Sequence, residues 1–194
     1  MIRLLEILRA MTHRPSGAIG LGIVVFHLCL AIISPWIVPF DYKEMNALQT
    51  LAGPSSEHWF GTDHLGRDYL SRLIYGARVS LLIGAVAALI SGVIGTAMGV
   101  AAGYFGGKVD AVVTFLINVR LAMPVVLVAL AVVAILGGSL TVVICVLGLL
   151  LWDRFAVVMR ASTLQVSRRD YVAAAQVIGA STPRILLTEI MPNI

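Results

Sequence analysis

In a chain of 194 residues, 59% apolar and only 12% charged side chains exclude a soluble globular domain, which could not hide that much apolar surface. The mean hydropathy of +0.97 and the net charge of +4 describe an integral membrane protein whose arginines flank apolar spans. Basic and aromatic residues interleave on no face, so the charge marks topology and points to membrane lipid, with no nucleic-acid partner.

Residues 1–15 place Arg3, Glu6, Arg9 and His13 in a polar stripe among Ile2, Leu4, Leu5, Ile7, Leu8 and Met11, which predicts an amphipathic helix on the cytoplasmic leaflet. Residues 16–40 carry no formal charge. At about 1.5 Å per residue they cross the roughly 30 Å hydrocarbon core, and they predict the first span, running outward. The apolar region is too long for a cleavable signal and ends in Ser34-Pro35-Trp36 and Pro39, an interface-type exit. His27 reads as a neutral imidazole satisfied within the bundle, set against a functional intramembrane group. Cys29, like Cys145 further on, sits in an apolar span and behaves as a small hydrophobe.

Residues 41–78 hold four Lys or Arg and five Asp or Glu, so they lack the positive excess of an inner loop and predict an extracytoplasmic segment. His58, Asp63, His64 and Asp68 suggest a metal, but their spacing fits no closed zinc pattern. The alternating charges of Arg67, Asp68 and Arg72 are better read as knitting a loop to a short helix that ends at Gly76.

The second predicted span, 79–105, returns to the cytoplasm. Gly95, Gly99 and Gly103 recur every four residues, with Gly84, Ala88 and Gly92 on an adjacent face, a small-residue pattern for close helix packing in lipid. Gly106-Gly107-Lys108 is followed by Val109 where a phosphate loop has Ser or Thr, so no ATP site is expected in this chain. The third span, 110–136, is broken by Pro124, and such breaks often line a cavity. Arg120 is costly in lipid, so the turns before the break are expected to project toward the cytoplasm or to face protein.

Gly137, Gly138 and Ser139 predict a tight outer turn before the fourth span, 139–159, with Trp152 at the inner interface. Asp153 and Arg154 could form a gating pair, although adjacent charges at a membrane edge are more often solvated. Residues 160–194 open on Arg160, Arg168 and Arg169 and so predict a cytoplasmic loop. Asp170 is an N-cap or first-turn anion for a helix over Tyr171–Ile178, Gly179 a left-handed stop, and Thr182 a cap for a second helix with Pro183 at its first position. Ala173, Ala174 and Ala175 make a low-relief surface that another protein's groove can approach.

Two runs carry a resemblance. The stretch from Asp170 to Pro192 resembles the EAA loop of permease subunits in binding-protein-dependent ABC importers, with Ala174, Ala175, Gly179 and Pro192 at the expected spacing. The motif's Glu is Ala173 here and its Leu is Met191, and the missing Glu bears on one polar contact of docking. The run Gly61-Thr62-Asp63, then Gly66-Arg67-Asp68, then Ser71-Arg72 through Gly76 to Arg78, closely resembles the dipeptide and oligopeptide subfamily. Met123-Pro124 and the apolar run after it match that subfamily's third helix, with Asn118 where the family usually has Asp.

The resemblance, which extends from about Ser16 to Asn193, implies an all-α polytopic membrane protein, a type I importer-like bundle with four predicted transmembrane helices of an expected six. It implies a bacterial inner-membrane location with the N-terminus cytoplasmic. The partners it implies are a second homologous permease, two cytoplasmic ABC ATPases and an extracytoplasmic solute-binding protein, with ATP held by the ATPases and no cofactor here. Asp170, Tyr171, Ala173, Ala174, Ala175, Gly179, Ala180, Arg184 and Pro192 would form the ATPase-coupling loop, and the implied cargo is di- or oligopeptides. No nucleophile, acid-base pair or metal cluster supports an enzyme. The alternatives beside it are a nickel or other small-solute permease, a channel-like or scaffold protein, and a truncated inactive remnant. The last follows from Ile194 falling where a fifth span is expected.

Overall fold

The computed structural model describes residues 13–194, so the amphipathic helix expected at the N-terminus lies outside the described residues. Among those residues the backbone is helical apart from loops and a single isolated antiparallel bridge, Thr62 to Asp68. They form two compact units, one ending at Leu82 and one covering Ile83–Ile194. The boundary falls inside a continuous helix.

In the first unit, helix α1 is Pro15–Ile37, with Pro15 at its first position, where a missing N–H costs nothing. Its apolar side chains are exposed almost throughout, with Ala31 and Ser34 the buried exceptions, as suits a helix facing lipid. His27 is exposed and its Nδ1 lies 2.8 Å from the Ile23 carbonyl, one turn back. The imidazole is therefore satisfied by its own helix, not by a bundle.

Helix α2 is Tyr69–Phe105, 37 residues without interruption. The short helix expected to stop at Gly76 does not exist as a separate element. One mid-helix glycine costs about 1 kcal/mol relative to alanine, and no left-handed residue or proline follows it to end the ladder.

The second unit contains the C-terminal part of α2, then α3 (Gly107–Ala122), α4 (Val125–Leu136), α5 (Leu140–Leu150), α6 (Trp152–Val166) and α7 (Asp170–Val177). After α7, Thr182–Arg184 continues through a π-helical Ile185–Ile190 into a 3-10 turn at Met191–Asn193. Three stretches are long and apolar enough to cross a membrane: α1, α2 and the α5–α6 run Leu140–Val166. The α3–α4 pair passes the same test as a fourth, bent by 80° where Met123 and Pro124 interrupt it.

The last span runs on to Val166, beyond the expected end near Met159, with only a local break at Leu151. Trp152, at the start of α6, is partly buried against a core of Ala102, Val113, Ile117 and Ala156. Asp153 is 4% exposed and thus not the solvated member of an edge pair. The helix continues past it, so its side chain turns into protein.

Helices α2 and α6 meet along the glycine stripe. A Cβ on Gly95 would collide with the Trp152 carbonyl, one on Gly99 would lie 2.5 Å from the Ala156 carbonyl, and one on Gly103 2.7 Å from that of Arg160. Hydrogen at these positions lets two backbones touch, the main packing device where solvent supplies no hydrophobic force. Toward the other end, Ser91 Oγ donates to the Gly148 carbonyl at 2.8 Å, and Gly148 in turn packs on Ile90.

Candidate functional site

Two groups of residues singled out in the sequence become local structures, one in each unit. In the second unit, α7 and the arm after it form a helical hairpin. Val172 and Ala175, three residues apart on one face, bury against Ile185 and Ile190. The turn between the arms has the hydrogen bonds of a Schellman cap. Ala180 N–H donates to Ala175 O and Gly179 N–H to Gln176 O, each at 3.0 Å, with Gly179 at φ +81°. Asp170 is the first residue of α7, in its first turn, with no capping bond from Arg169 before it. The second arm is capped one residue earlier than expected, since Ser181 is the N-cap, Thr182 already helical and Pro183 at the second position. A proline there gives up an N–H that the helix start leaves free in any case.

The expected docking surface is rearranged by this packing. Ala175 faces inward, which leaves Ala173 and Ala174 exposed beside Tyr171, Gly179, Arg184 and Pro192, with Ala180 half-buried. The most exposed apolar residues of the hairpin are Val177 and Ile178, 87% and 83% exposed, at the tip next to the glycine. Neither stands out in the sequence, because an apolar residue in a helical run looks like core. Their position one and two residues before the left-handed glycine was the available signal.

The hairpin hangs from α6, and α6 is tied to α3 by a bidentate ion pair. Arg160 donates from Nε to Asp110 Oδ1 and from Nη2 to Oδ2 at 2.6 Å. Arg160, read in the sequence as a topology charge, is thus a structural partner ten residues before the hairpin. Its carbonyl sits against Gly103.

In the first unit, Asp63 organises the loop between α1 and α2. Its carboxylate accepts from Leu65 N–H at 2.8 Å, Arg67 N–H at 3.0 Å and Arg67 Nε at 2.9 Å, and from Arg72 Nη1. Burial works to raise the Asp63 carboxyl, and the side-chain and backbone bonds from Arg67 and Leu65 outweigh it, holding the group well below the usual carboxylate range. Thr62 Oγ1 donates to the Gln49 carbonyl and accepts from Ala52 N–H at 2.9 Å. Gly61 and Gly66 both take positive φ, and a Cβ on Gly66 would overlap the Asn46 carbonyl, so no other residue fits there.

Asp68 stands just before α2 and accepts from Ser71 N–H at 2.7 Å, the geometry of an N-cap. It also meets His58 Nδ1 at 2.9 Å, while His58 Nε2 lies 3.0 Å from Gln49 Oε1. Burial opposes the Asp68 charge, yet the bonds from Ser71 and His58 hold its carboxyl below the ordinary value. His64 and Arg78 are exposed and apart from this network. Among the described residues no three His, Cys, Asp or Glu side chains are gathered for a metal. Of the residues that looked like ligands, His58, Asp63 and Asp68 serve a hydrogen-bonded loop.

The model for binding-protein-dependent transport system inner membrane components matches residues 95–194, more than half of the chain. The chain belongs to that family. The N-terminal TM domain of oligopeptide transport permease C matches residues 4–54. The family members it resembles include the dipeptide transport system permease protein DppC of Bacillus subtilis, 37% identical over 90% of this chain and 54% of the relative. DppC of Alkalihalophilus pseudofirmus is 34% identical over 97% of this chain and 62% of the relative. The oligopeptide permease protein OppC of Bacillus subtilis is 35% identical over 90% and 57%. The chain therefore spans a little over half the length of these relatives. They are transport permeases, not enzymes, and the family member described here is likewise an all-α, multi-pass membrane protein.

Proposed function

We propose that this chain is the membrane-embedded permease subunit of an ABC importer for di- or oligopeptides, with the hairpin of residues 170–193 as its contact to the cytoplasmic ATPase. The observation that carries the reading is the hairpin itself: a Schellman-closed turn whose core is satisfied internally and whose tip offers Val177 and Ile178 to another surface. Exposed aliphatic side chains on a rigid helical tip are what a hydrophobic cleft recognises. The permease names of DppC and OppC support the peptide cargo. In the assembly so read, a second homologous permease pairs with this one, two ATPases bind ATP, and an extracytoplasmic binding protein delivers substrate. The hairpin and the N-terminus lie on the cytoplasmic side, as Arg168 and Arg169 favour.

The test is cross-linking. A single cysteine at Val177 should form a disulfide with a cysteine in the ATPase cleft, and Val177→Asp should abolish ATPase association while leaving membrane insertion unchanged. Retained association of Val177→Asp would remove the tip from the coupling contact.

A further inference from the structure

Two charged side chains in the Ile83–Ile194 unit are almost fully buried: Arg120, 5% exposed, and Asp153, 4% exposed. Neither takes part in the ion pairs found among the described residues, which join Asp63 to Arg67 and Arg72, Asp68 to His58, and Asp110 to Arg160. Each also keeps one atom without a hydrogen-bond partner among the described residues, Nε of Arg120 and Oδ1 of Asp153. One is a donor and the other an acceptor. A buried charge with no counter-charge is strongly unfavourable in a low dielectric, and more so at membrane depth.

The bonds Arg120 does make are specific in place. Its Nη1 donates to the Met123 carbonyl at 3.3 Å and its Nη2 to the Leu150 carbonyl. Met123 ends α3 at the 80° bend, and Leu150 ends α5 at the Leu151 break. The last carbonyls of a helix have no intrahelical donor and carry the negative end of its dipole. One planar guanidinium therefore closes two interrupted spans at once, which an ammonium could not do with the same fork. Asp153 lies three residues after Leu150, in the first turn of α6, where the helix end favours a negative charge.

We propose that Arg120 and Asp153 act as one buried charge pair that fixes the α3–α4 bend against the α5–α6 break. Arg120 is the positioning residue, and Asp153 is the counter-charge that keeps it there. Val113 and Ile117 of α3 pack in one core with Ala156 of α6, and in such an interior opposite charges favour one another beyond ion-pair distance. The inference rests on the geometry of this chain and not on the peptide-import reading.

The experiment is a double-mutant cycle read as a distance. With Cys29 and Cys145 replaced by alanine, nitroxides at Leu116→Cys on α3 and Leu130→Cys on α4 report the bend of the chain in lipid nanodiscs by pulsed electron resonance. The parent should give one narrow distance. Arg120→Met and Asp153→Asn should each lose it to a broad distribution, and the double variant should be no broader than the worse single. Should Arg120→Met fail to fold, Arg120→Lys, which keeps the charge but not the fork, should broaden the distance alone. An unchanged distance in Asp153→Asn, or a double variant as broad as the two effects added, would overturn the pair. So would an unchanged distance in Arg120→Lys, since the fork would then be dispensable.

Discussion

Gly179 holds a φ of +81° with nothing within 4 Å of where a Cβ would stand. The cost of replacing it is therefore one of backbone alone, about 1 to 2 kcal/mol for a left-handed L-residue. Gly179→Val should exceed Gly179→Ala, because a β-branched residue tolerates positive φ least. Hydrogen exchange should show the amides of residues 178–180 losing protection in both variants while α6 stays protected. Asp63 gives a prediction in pH. Its folded carboxyl is depressed, so the stability it contributes is complete above the unfolded value and is lost as pH falls through the folded one. The Leu65 and Arg67 amides should show equal protection factors at pH 7 and pH 5, each taken against the intrinsic exchange rate at that pH, with protection falling only below about pH 4. Loss of protection between pH 7 and pH 5 would assign the loop's integrity to another group. The left-handed glycine was legible from sequence, because a helical run that stops at Gly before Ser-Thr-Pro has few other solutions. The burial of Asp153 was not. Next to Arg154 it looks like half of a solvated pair, and only the continuation of α6 sends the two side chains to different environments.

At the scale of elements, the glycine stripe makes a prediction with its own control. Gly99→Leu must push α2 away from α6, since even a Cβ would stand 2.5 Å from the Ala156 carbonyl and 2.8 Å from Met159 Cβ. Overpacking of this kind costs about 1 to 3 kcal/mol. Gly84→Leu meets nothing within 4 Å and should be tolerated. Thermal unfolding of the purified chain in detergent distinguishes the two, and equal melting temperatures would show that the stripe is not a tight contact. The i, i+4 repeat of small residues exposed this face in the sequence, because a period of four has a geometric meaning on a helix. The partner surface, the backbone of Trp152, Ala156 and Arg160, was invisible there. Carbonyls belong to every residue alike. The bend at Pro124 was legible because proline removes a specific hydrogen bond, whereas the uninterrupted passage of α2 through Gly76 was not, since a glycine marks an end only when the backbone actually turns left-handed.

For the molecule as a whole, the topology proposed above is open to labelling. Leu48, 96% exposed, lies in the loop between α1 and α2, and Ser181 is exposed at the start of the hairpin's second arm. Single cysteines at these sites, in a chain lacking Cys29 and Cys145, should react with a membrane-impermeant reagent from opposite sides. Reaction of both from outside would end the proposed orientation of the hairpin. Fold class and family were legible over most of the chain, because apolar spans and two motif runs extend through it. What sequence could not supply was which charges pair across it, as with Asp110 and Arg160, fifty positions apart. The contact of α2 with α6 also limits how the molecule can move. Three glycines spaced by four residues, each seated on a carbonyl, form a short rack. Sliding one helix along the other finds the next matching seat only after a full repeat, about 6 Å, and a shorter step moves the glycines off the carbonyls they are seated on. A smaller rearrangement that keeps all three seats is a pivot about the rack, with Gly95, Gly99 and Gly103 as its axle.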